Sequence, residues 1–156
     1  MNPCKVTSEQ ATSAIKDEDL LLDKQVCFPL YSAANAIVRA YRPLLTELDL
    51  TYVQYLVMMV LWQSNGINVK TLGEKLHLDS GTLTPLLKRL EAKKLVERRI
   101  SQVDERVKEL FLTNEGVALK QRALSIPNAM FCKMNLEVEE LTMLKELCEK
   151  VIKTLK

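Results

Sequence analysis

Residues 69–113 decide the fold, and they read VKTLGEKLHLDSGTLTPLLKRLEAKKLVERRISQVDERVKELFLT. Asn68 stands before this stretch as a capping residue, so a short helix is predicted from Val69 to His77. Asp79 or Ser80 caps a second helix, whose apolar residues recur at i, i+3, i+4 and i+7 and therefore bury one face. These apolar residues are Leu83, Leu86, Leu87 and Leu90.

The spacing of the apolar residues changes after the second helix. The segments Val96–Ile100 and Arg106–Thr113 are short and rich in β-branched and apolar residues, and polar residues 101–105 join them. This pattern predicts a β-hairpin with an irregular loop. Two short helices in tandem followed by a hairpin are typical of a winged helix-turn-helix, in a chain that is otherwise mainly helical.

Helices are predicted on the amino-terminal side of this unit. The segment Leu20–Tyr41 has helical spacing, and Pro43 is expected to close it. Because proline is tolerated in a first turn, Pro29 puts Cys27 at or just before a helix N-terminus. Further along, Thr51 with Gln54 three residues later predicts a capping box at the start of the next helix.

The carboxyl-terminal third is also predicted to be helical. Residues 114–125 form one helix, and Pro127 interrupts the pattern. The last helix carries a heptad-like apolar seam, for which a partner helix in a dimer is the simplest use, although packing within the chain would give the same pattern. The seam consists of Leu141, Leu144, Cys148, Val151 and Leu155.

Composition narrows the class of protein. The chain has 156 residues, which is a single-domain length, and 47% of them are hydrophobic. No apolar run is long enough to span a membrane, and the first 20 residues lack the features of a signal peptide, so we expect a cytoplasmic protein. Four cysteines and a single histidine, His77, without CxxC spacing, predict neither a disulfide framework nor a metal site, and no cofactor is expected.

Positive charge is concentrated in the decisive stretch. Between Ser80 and Lys108 there are eight basic and four acidic residues, a net charge of +4, whereas the whole chain carries only +2. Phosphate binding by nucleic-acid-binding proteins leaves this footprint. A solvated charged face explains the charge alone equally well.

The second helix and the hairpin supply candidate DNA contacts. Hydroxyls at a helix N-terminus reach base edges and phosphates, lysine and arginine bind phosphate or guanine, and a thin basic hairpin suits a minor groove. Asp104 holds Arg106 in an extended pose or acts as an ordinary turn residue. The candidates on the helix are Ser80, Thr82, Thr84, Lys88 and Arg89, and those in the hairpin are Arg98, Arg99, Asp104 and Arg106.

The run from Asp79 to Glu91, DSGTLTPLLKRLE, and the triplet Asp104-Glu105-Arg106 resemble the multiple-antibiotic-resistance regulator (MarR) family. The resemblance covers about residues 20–156. It implies a homodimer with two winged-helix lobes on a double-stranded, pseudopalindromic operator. It also implies a loose tail at 1–19, dimerisation helices at 20–47 and 114–156, and a DNA-binding lobe at 48–113.

Cys27 is a second candidate site. A helix N-terminus stabilises a thiolate, the reactive form, although a lone cysteine is more often a small buried hydrophobe. Phe28, Leu30 and Tyr31 are expected to form an apolar pocket around Cys27, which would suit an organic peroxide.

The stretch LLDKQVCFPLY at 21–31, together with the later segments AYRP at 40–43 and LTYVQY at 50–55, resembles the organic hydroperoxide resistance regulator branch of the family. That resemblance implies that organic hydroperoxides oxidise Cys27. It also implies that Tyr41 and Tyr52 hydrogen-bond its thiolate, with Tyr31 contributed by the other subunit.

The resemblance also implies how the oxidised sulfur is resolved. Cys132 occupies the place of the resolving cysteine in two-cysteine members, which predicts an intersubunit Cys27–Cys132 disulfide and release from DNA. Cys148 or a small thiol are the alternatives to Cys132. Cys4 lies in the tail and reacts, if at all, without specificity.

The sequence therefore predicts a redox-sensing transcriptional repressor rather than an enzyme. A thiol peroxidase is disfavoured because the chain has no βαβ pattern and no CxxC motif. Two other regulators remain open as alternatives. One is a repressor released by a small phenolic ligand, and the other is a global regulator that senses general oxidants or quinones through Cys27.

Overall fold

The computed structural model describes residues 17–101 and 104–155 of the chain. The chain divides into two compact units, Met1–Arg39 and Ala40–Lys156. The first unit holds two 3-10 turns, Asp17–Leu20 and Leu22–Lys24, and the beginning of helix α1, which spans Cys27–Thr46.

Both predicted limits of the first helix were wrong. The helix starts at Cys27 rather than Leu20, which keeps Pro29 in the first turn, where no hydrogen bond is lost. At the other end it continues through Pro43 to Thr46, so proline does not close it. The hydrogen bond lost there would have ended on the carbonyl of the exposed residue Arg39, which water can solvate.

The second unit contains the end of α1, followed by the segment for which tandem helices were predicted. Helix α2 spans Tyr52–Gln63, and the capping box is present, with Thr51 N donating to Gln54 Oε1 over 3.0 Å. Helix α3 spans Val69–Leu76 and helix α4 spans Ser80–Ala92, and α4 continues through Pro85. The tandem helices of the predicted helix-turn-helix are therefore confirmed.

A three-stranded antiparallel sheet follows. Strand β1 is Ile67–Asn68, β2 is Val96–Ile100 and β3 is Lys108–Leu112, arranged in the order β1-β3-β2. The hairpin β2–β3 is in register with Val96 opposite Leu112, and it forms the predicted wing. Strand β1 was not predicted, since two residues carry no period. The sequence therefore yields a mainly helical fold with a small β wing.

Three helices complete the second unit. They are α5 at Asn114–Ala123, α6 at Ile126–Met134 and α7 at Val138–Thr154. Helix α5 ends two residues earlier than expected, and Pro127 lies in the first turn of α6, where it is tolerated.

The core of the second unit is built mainly from leucines of α1 to α4 and the sheet. Three of the α4 leucines are buried, as their spacing predicts, and Leu86 packs against the cluster from a partly exposed position. The largest fully buried side chains are Leu45, Val57, Met58, Leu61, Leu72, Leu83, Leu87, Leu90, Val96 and Leu110.

Helix α7 stands apart from this core. No residue of α7 is buried within the described part of the chain, and its apolar side chains include Met143 and Leu147, which are 63% and 55% exposed. Of the predicted seam, Leu144 and Val151 are exposed and Leu141 and Cys148 are partly covered. The described residues therefore leave the seam available to another surface.

Four helix ends close with a left-handed residue that is not glycine. Asp49, His77, Lys94 and Asn135 have φ values between 50° and 57°. At Asp49 the chain forms a Schellman motif, since Leu50 N donates to Leu45 O and Asp49 N to Thr46 O, both over 3.0 Å. Left-handed backbone favours glycine, so each of these ends carries a steric cost.

Candidate nucleic-acid interface and cysteine sites

Asp79 fixes the start of helix α4. Its carboxylate accepts hydrogen bonds from the backbone amide of Thr82 over 2.8 Å and from the Thr82 hydroxyl over 2.9 Å. These hydrogen bonds lower the pKa of Asp79 below its ordinary value, and the one from the Thr82 amide has the larger effect. Of the two caps that the sequence allowed, Asp79 is the one formed.

Helix α4 separates an apolar face from a polar face. The buried leucines pack into the core, and the five candidate DNA contacts of this helix are all exposed. The hydroxyl of Thr84 donates to Ser80 O over 2.8 Å, and that of Thr82 is held by Asp79. Within the described residues Lys88 and Arg89 form no ion pair, so their charges are available to an anionic partner.

Arg98 is held against helix α4 rather than projecting from the wing. Its Nη2 atom lies 2.8 Å from Glu91 Oε2, and its side chain is only 20% exposed. The Arg98 Nε atom is buried and has no hydrogen-bond partner among the residues described. The ion pair ties strand β2 to the end of α4.

Arg99 also has partners within the protein. Its guanidinium lies over the ring of Phe111, 4.5 Å from the centroid, and pairs with Glu97. Cation–π contacts of this kind hold arginine close to the strand surface. Arg98 and Arg99 are thus brought to the body of the wing, not to its tip.

Asp104 adopts the turn geometry that was one of its two predicted roles. Its Oδ1 atom accepts from the backbone amide of Arg106 over 2.9 Å, and Val107 N donates to Asp104 O over 2.9 Å. In the described part of the wing no ion pair joins Asp104 to the Arg106 guanidinium, which is exposed. Asp104 thus fixes the backbone of Arg106 but does not hold its guanidinium group.

A groove of about 1080 Å³ lies between α3, the start of α4 and the wing. It brings together four of the nine predicted contacts, Ser80, Thr84, Arg98 and Arg106, while the other five lie outside its lining. Lys70, His77 and Lys108 also line it, and they were not predicted. Lys108 belongs to the basic stretch noted in the sequence, whereas no local pattern singled out Lys70 or His77.

Cys27 is the first residue of helix α1 and is exposed. This position agrees with the prediction from Pro29. The side chains expected to enclose it are exposed in the single chain, Phe28 by 43%, Leu30 by 39% and Tyr31 by 68%. An apolar pocket around Cys27 is therefore not complete within the described chain.

Tyr41 and Tyr52 lie together in the second unit. Their ring centroids are 4.8 Å apart, and Tyr55 lies 6.0 Å from Tyr41. Burial raises the pKa of Tyr41, and charges on Tyr52 and Tyr55 raise it further; burial also raises the pKa of Tyr52. Both phenols therefore stay protonated, and able to donate a hydrogen bond, well above neutral pH.

The other cysteines lie on the last two helices. Cys132 is exposed on α6, Cys148 is partly covered on α7, and both are free thiols, as is Cys27. Cys4 falls outside the described residues. The disulfide between Cys27 and Cys132 and the hydrogen bonds from the tyrosines to Cys27 stay predictions.

Across residues 17–101 and 104–155, no helix is both long and apolar enough to cross a bilayer. No group of three or more His, Cys, Asp or Glu side chains in the same ranges is arranged to hold a metal ion.

Known proteins resemble this chain over most of its length. The regulator TtmR of Methylorubrum extorquens is 50% identical over 115 residues, which are 74% of this chain but only 59% of that protein. The organic hydroperoxide resistance transcriptional regulator of Bacillus subtilis is 40% identical over 140 residues, covering 90% of this chain and 95% of that one.

A solved structure of reduced AbfR bound to DNA is 32% identical and has a TM-score of 0.72, covering 89% of this chain and 96% of that chain. The same protein with a disulfide formed is 32% identical with a TM-score of 0.58, covering 88% and 92%. The model of the MarR family matches residues 50–108, which include α2 to α4 and strand β2. The chain therefore belongs to the MarR family of transcriptional regulators.

Proposed function

We propose that this protein is a repressor that binds operator DNA as a homodimer while Cys27 is reduced, and releases it when organic hydroperoxides oxidise Cys27. The observation that carries the DNA half is the exposed face of α4, with Lys88 and Arg89 unpaired in the described structure beside a basic wing. The position of Cys27 at the first residue of α1 carries the redox half.

DNA binding follows from the two faces of α4. The buried leucines hold the helix in the core, and we assign its opposite, exposed face to the major groove. Lys88 and Arg89 supply phosphate or guanine contacts, Ser80, Thr82 and Thr84 contact the DNA near the helix start, and Arg106 reaches the backbone from the wing. In a dimer, two such helices fit half-sites about 34 Å apart.

Sensing starts with the Cys27 thiolate. The sulfur attacks one peroxide oxygen, the O–O bond breaks, and an alcohol leaves after taking a proton, so that the cysteine becomes a sulfenic acid. The raised pKa values of Tyr41 and Tyr52 support their role as neutral donors to the thiolate. Tyr31, exposed in the single chain, is assigned the same role across the dimer.

Resolution follows with a second thiol. The thiolate of Cys132 of the partner subunit attacks the sulfenic sulfur, the S–O bond breaks, water leaves with one proton taken up, and a disulfide forms. The exposure of Cys132 supports this assignment, because a resolving thiol must be reached by the oxidised sulfur. The relative named for organic hydroperoxide resistance, and AbfR solved with a disulfide, support the same chemistry.

The test begins with a duplex selected from a random pool by the reduced wild-type protein. One equivalent of cumene hydroperoxide should release the wild type from this duplex, and non-reducing peptide mapping should show an interchain Cys27–Cys132 link. The Cys27→Ser variant should stay bound, and Cys132→Ser should form no link between these two positions. Cys148→Ser is the matched control and should behave as the wild type does.

Three results would contradict the proposal. Failure of the reduced wild type to select any duplex removes the DNA function. Release of Cys27→Ser by the hydroperoxide removes Cys27 as the sensor. Release of Cys27→Ser by a phenolic compound, with Cys27 of the wild type unmodified by peroxide, favours a ligand-controlled repressor instead.

A further inference from the structure

The turn between α1 and α2 is held by two basic side chains from other helices. Lys93, at the end of α4, places its Nζ atom 2.9 Å from Asp49 Oδ2 and also donates to the Asp49 carbonyl. Arg122, on α5, donates to the carbonyl of Glu47. Two cations thus meet carbonyl groups of the turn just after the C-terminal end of α1, where the helix dipole is negative.

The turn itself is a fixed piece of backbone. Asp49 is in the left-handed conformation of the Schellman motif, and Leu48 and Leu50 on either side of it are buried in the same core as the α4 leucines. The Lys93 side chain is only 28% exposed. Leu48 and Leu50 anchor the turn in the core, and Lys93 ties it to the end of α4.

Helix α4 therefore has a different task at each end. Its exposed face carries the proposed DNA contacts, and its C-terminal end is fastened by Lys93 to the turn after α1. A 13-residue helix is about 20 Å long, so a small shift at one end moves the other end without bending the helix. Strand β2 is fastened to the same end of α4 through the Arg98–Glu91 ion pair.

We propose that Lys93 and Arg122 are positioning residues, which set the orientation of the recognition helix α4 by tying it and α5 to the C-terminal end of α1. Helix α1 carries Cys27 at its first residue, so the same tie passes a displacement of α1 to the DNA-binding face. This inference rests on the proposed function, because it assigns a regulatory role within that function. Lys93 itself makes no DNA contact in this proposal.

The experiment measures the affinity of the full-length reduced dimer for the selected duplex at a series of salt concentrations. Lys93→Met, Asp49→Asn and the double variant form a double-mutant cycle, and Lys145→Met is the matched control. The control removes an exposed ion pair of 3.5 Å with Glu149 that lies within a single helix. Thermal unfolding of each variant is recorded in parallel.

Lys93→Met should weaken operator binding about five- to tenfold, Asp49→Asn somewhat less, and the double variant no more than Lys93→Met alone. The salt dependence of binding should keep the wild-type slope, since no phosphate contact is lost. The ratio of oxidised to reduced dissociation constants should shrink in the same variants, and Lys145→Met should leave both measurements unchanged. Arg122→Met should act in the same direction as Lys93→Met.

A direct phosphate contact by Lys93 gives a different pattern and overturns the proposal. Lys93→Met would then reduce the salt slope by about one, and Asp49→Asn would leave binding unchanged or strengthen it. Wild-type affinity and an unchanged oxidised-to-reduced ratio in Lys93→Met also overturn it, even if the variant unfolds at a lower temperature. A wild-type protein that selects no duplex overturns the proposed function instead, so the two failures are distinguishable.

Discussion

Gly116 joins three elements at a point where no side chain fits. Its carbonyl accepts the Trp62 Nε1–H over 2.9 Å, and its amide donates to the capping hydroxyl of Thr113 over 3.1 Å. A Cβ atom here would clash with the carbonyl oxygen of Leu95. Because that neighbour is backbone, it cannot move aside without shifting the end of α4. The residue is a glycine because α5 approaches the chain before β2 closely.

Gly116→Ala should therefore destabilise the protein by about 2–3 kcal/mol, the cost of overpacking a rigid contact. Urea unfolding at a fixed protein concentration measures this difference. Val117→Ala is the neighbouring control, since Val117 is 54% exposed, and its effect should be within about 0.5 kcal/mol of zero. An alanine at 116 that leaves the unfolding midpoint unchanged would mean that α5 is free to move away from Leu95.

The start of α4 is an element whose stability depends on pH through Asp79. Hydrogen bonds from Thr82 lower the pKa of this carboxyl in the folded state, so its contribution is present above the ordinary value of 3.8 and is lost as the pH falls through the lowered value. Asp79→Asn keeps an oxygen acceptor but does not titrate. The free energy of unfolding of the wild type should therefore exceed that of Asp79→Asn at pH 7, and the gap should close in acid.

Urea unfolding of both proteins from pH 7 down to acid checks this, because titrations elsewhere cancel in the difference. Asp17→Asn, at an exposed acidic residue of the first 3-10 turn, is measured alongside as the control variant. If the difference in free energy of unfolding between the two proteins stayed constant into acid, the Asp79 carboxylate would not be the group that caps α4.

Sequence predicts elements well where the signal is local. The capping residues Thr51, Asn68 and Asp79 act on amides three residues away, so their roles were visible in the sequence and are confirmed. Strand β1 was not visible, because its two residues become a strand only by pairing with Leu110 and Glu109, about 40 residues later. Helix existence and type were thus predictable, while the limits of α1 depended on where its prolines fall in the helix.

The candidate site shows the same division. The exposed and buried faces of α4 follow from its period, and both are confirmed. The partners of Arg98 and Arg99 could not be predicted in this way, since Glu91 lies on another element and Phe111 on the paired strand. The Lys93–Asp49 tie spans 44 positions and left no pattern in the sequence.

At the scale of the whole molecule, the exposed seam of α7 is the surface on which the proposed dimer would place its partner helix. Leu144 and Val151, which are 37% and 44% exposed, lie on this seam, and burying them against a partner helix removes apolar surface from water. Leu144→Glu with Val151→Glu should convert the dimer to a monomer in sedimentation experiments. Operator affinity should fall about a hundredfold or more, because each half-site would then be bound independently.

Lys145→Glu, on the same helix but in an exposed ion pair, serves as the control and should leave the protein dimeric. A double glutamate variant that still sediments as a dimer would assign the interface to another surface. Loss of dimerisation without loss of operator affinity would mean that one lobe is sufficient for binding.

The left-handed helix ends at His77, Lys94 and Asn135 have a practical consequence for engineering. Each end accepts a backbone conformation that glycine adopts without steric cost, and the chain uses a larger side chain there. Lys94→Gly and Asn135→Gly, at positions outside the proposed contacts, would raise the free energy of unfolding of the parent protein. In that background, variants of the operator-binding and sensing residues that would otherwise be lost to aggregation during production become measurable.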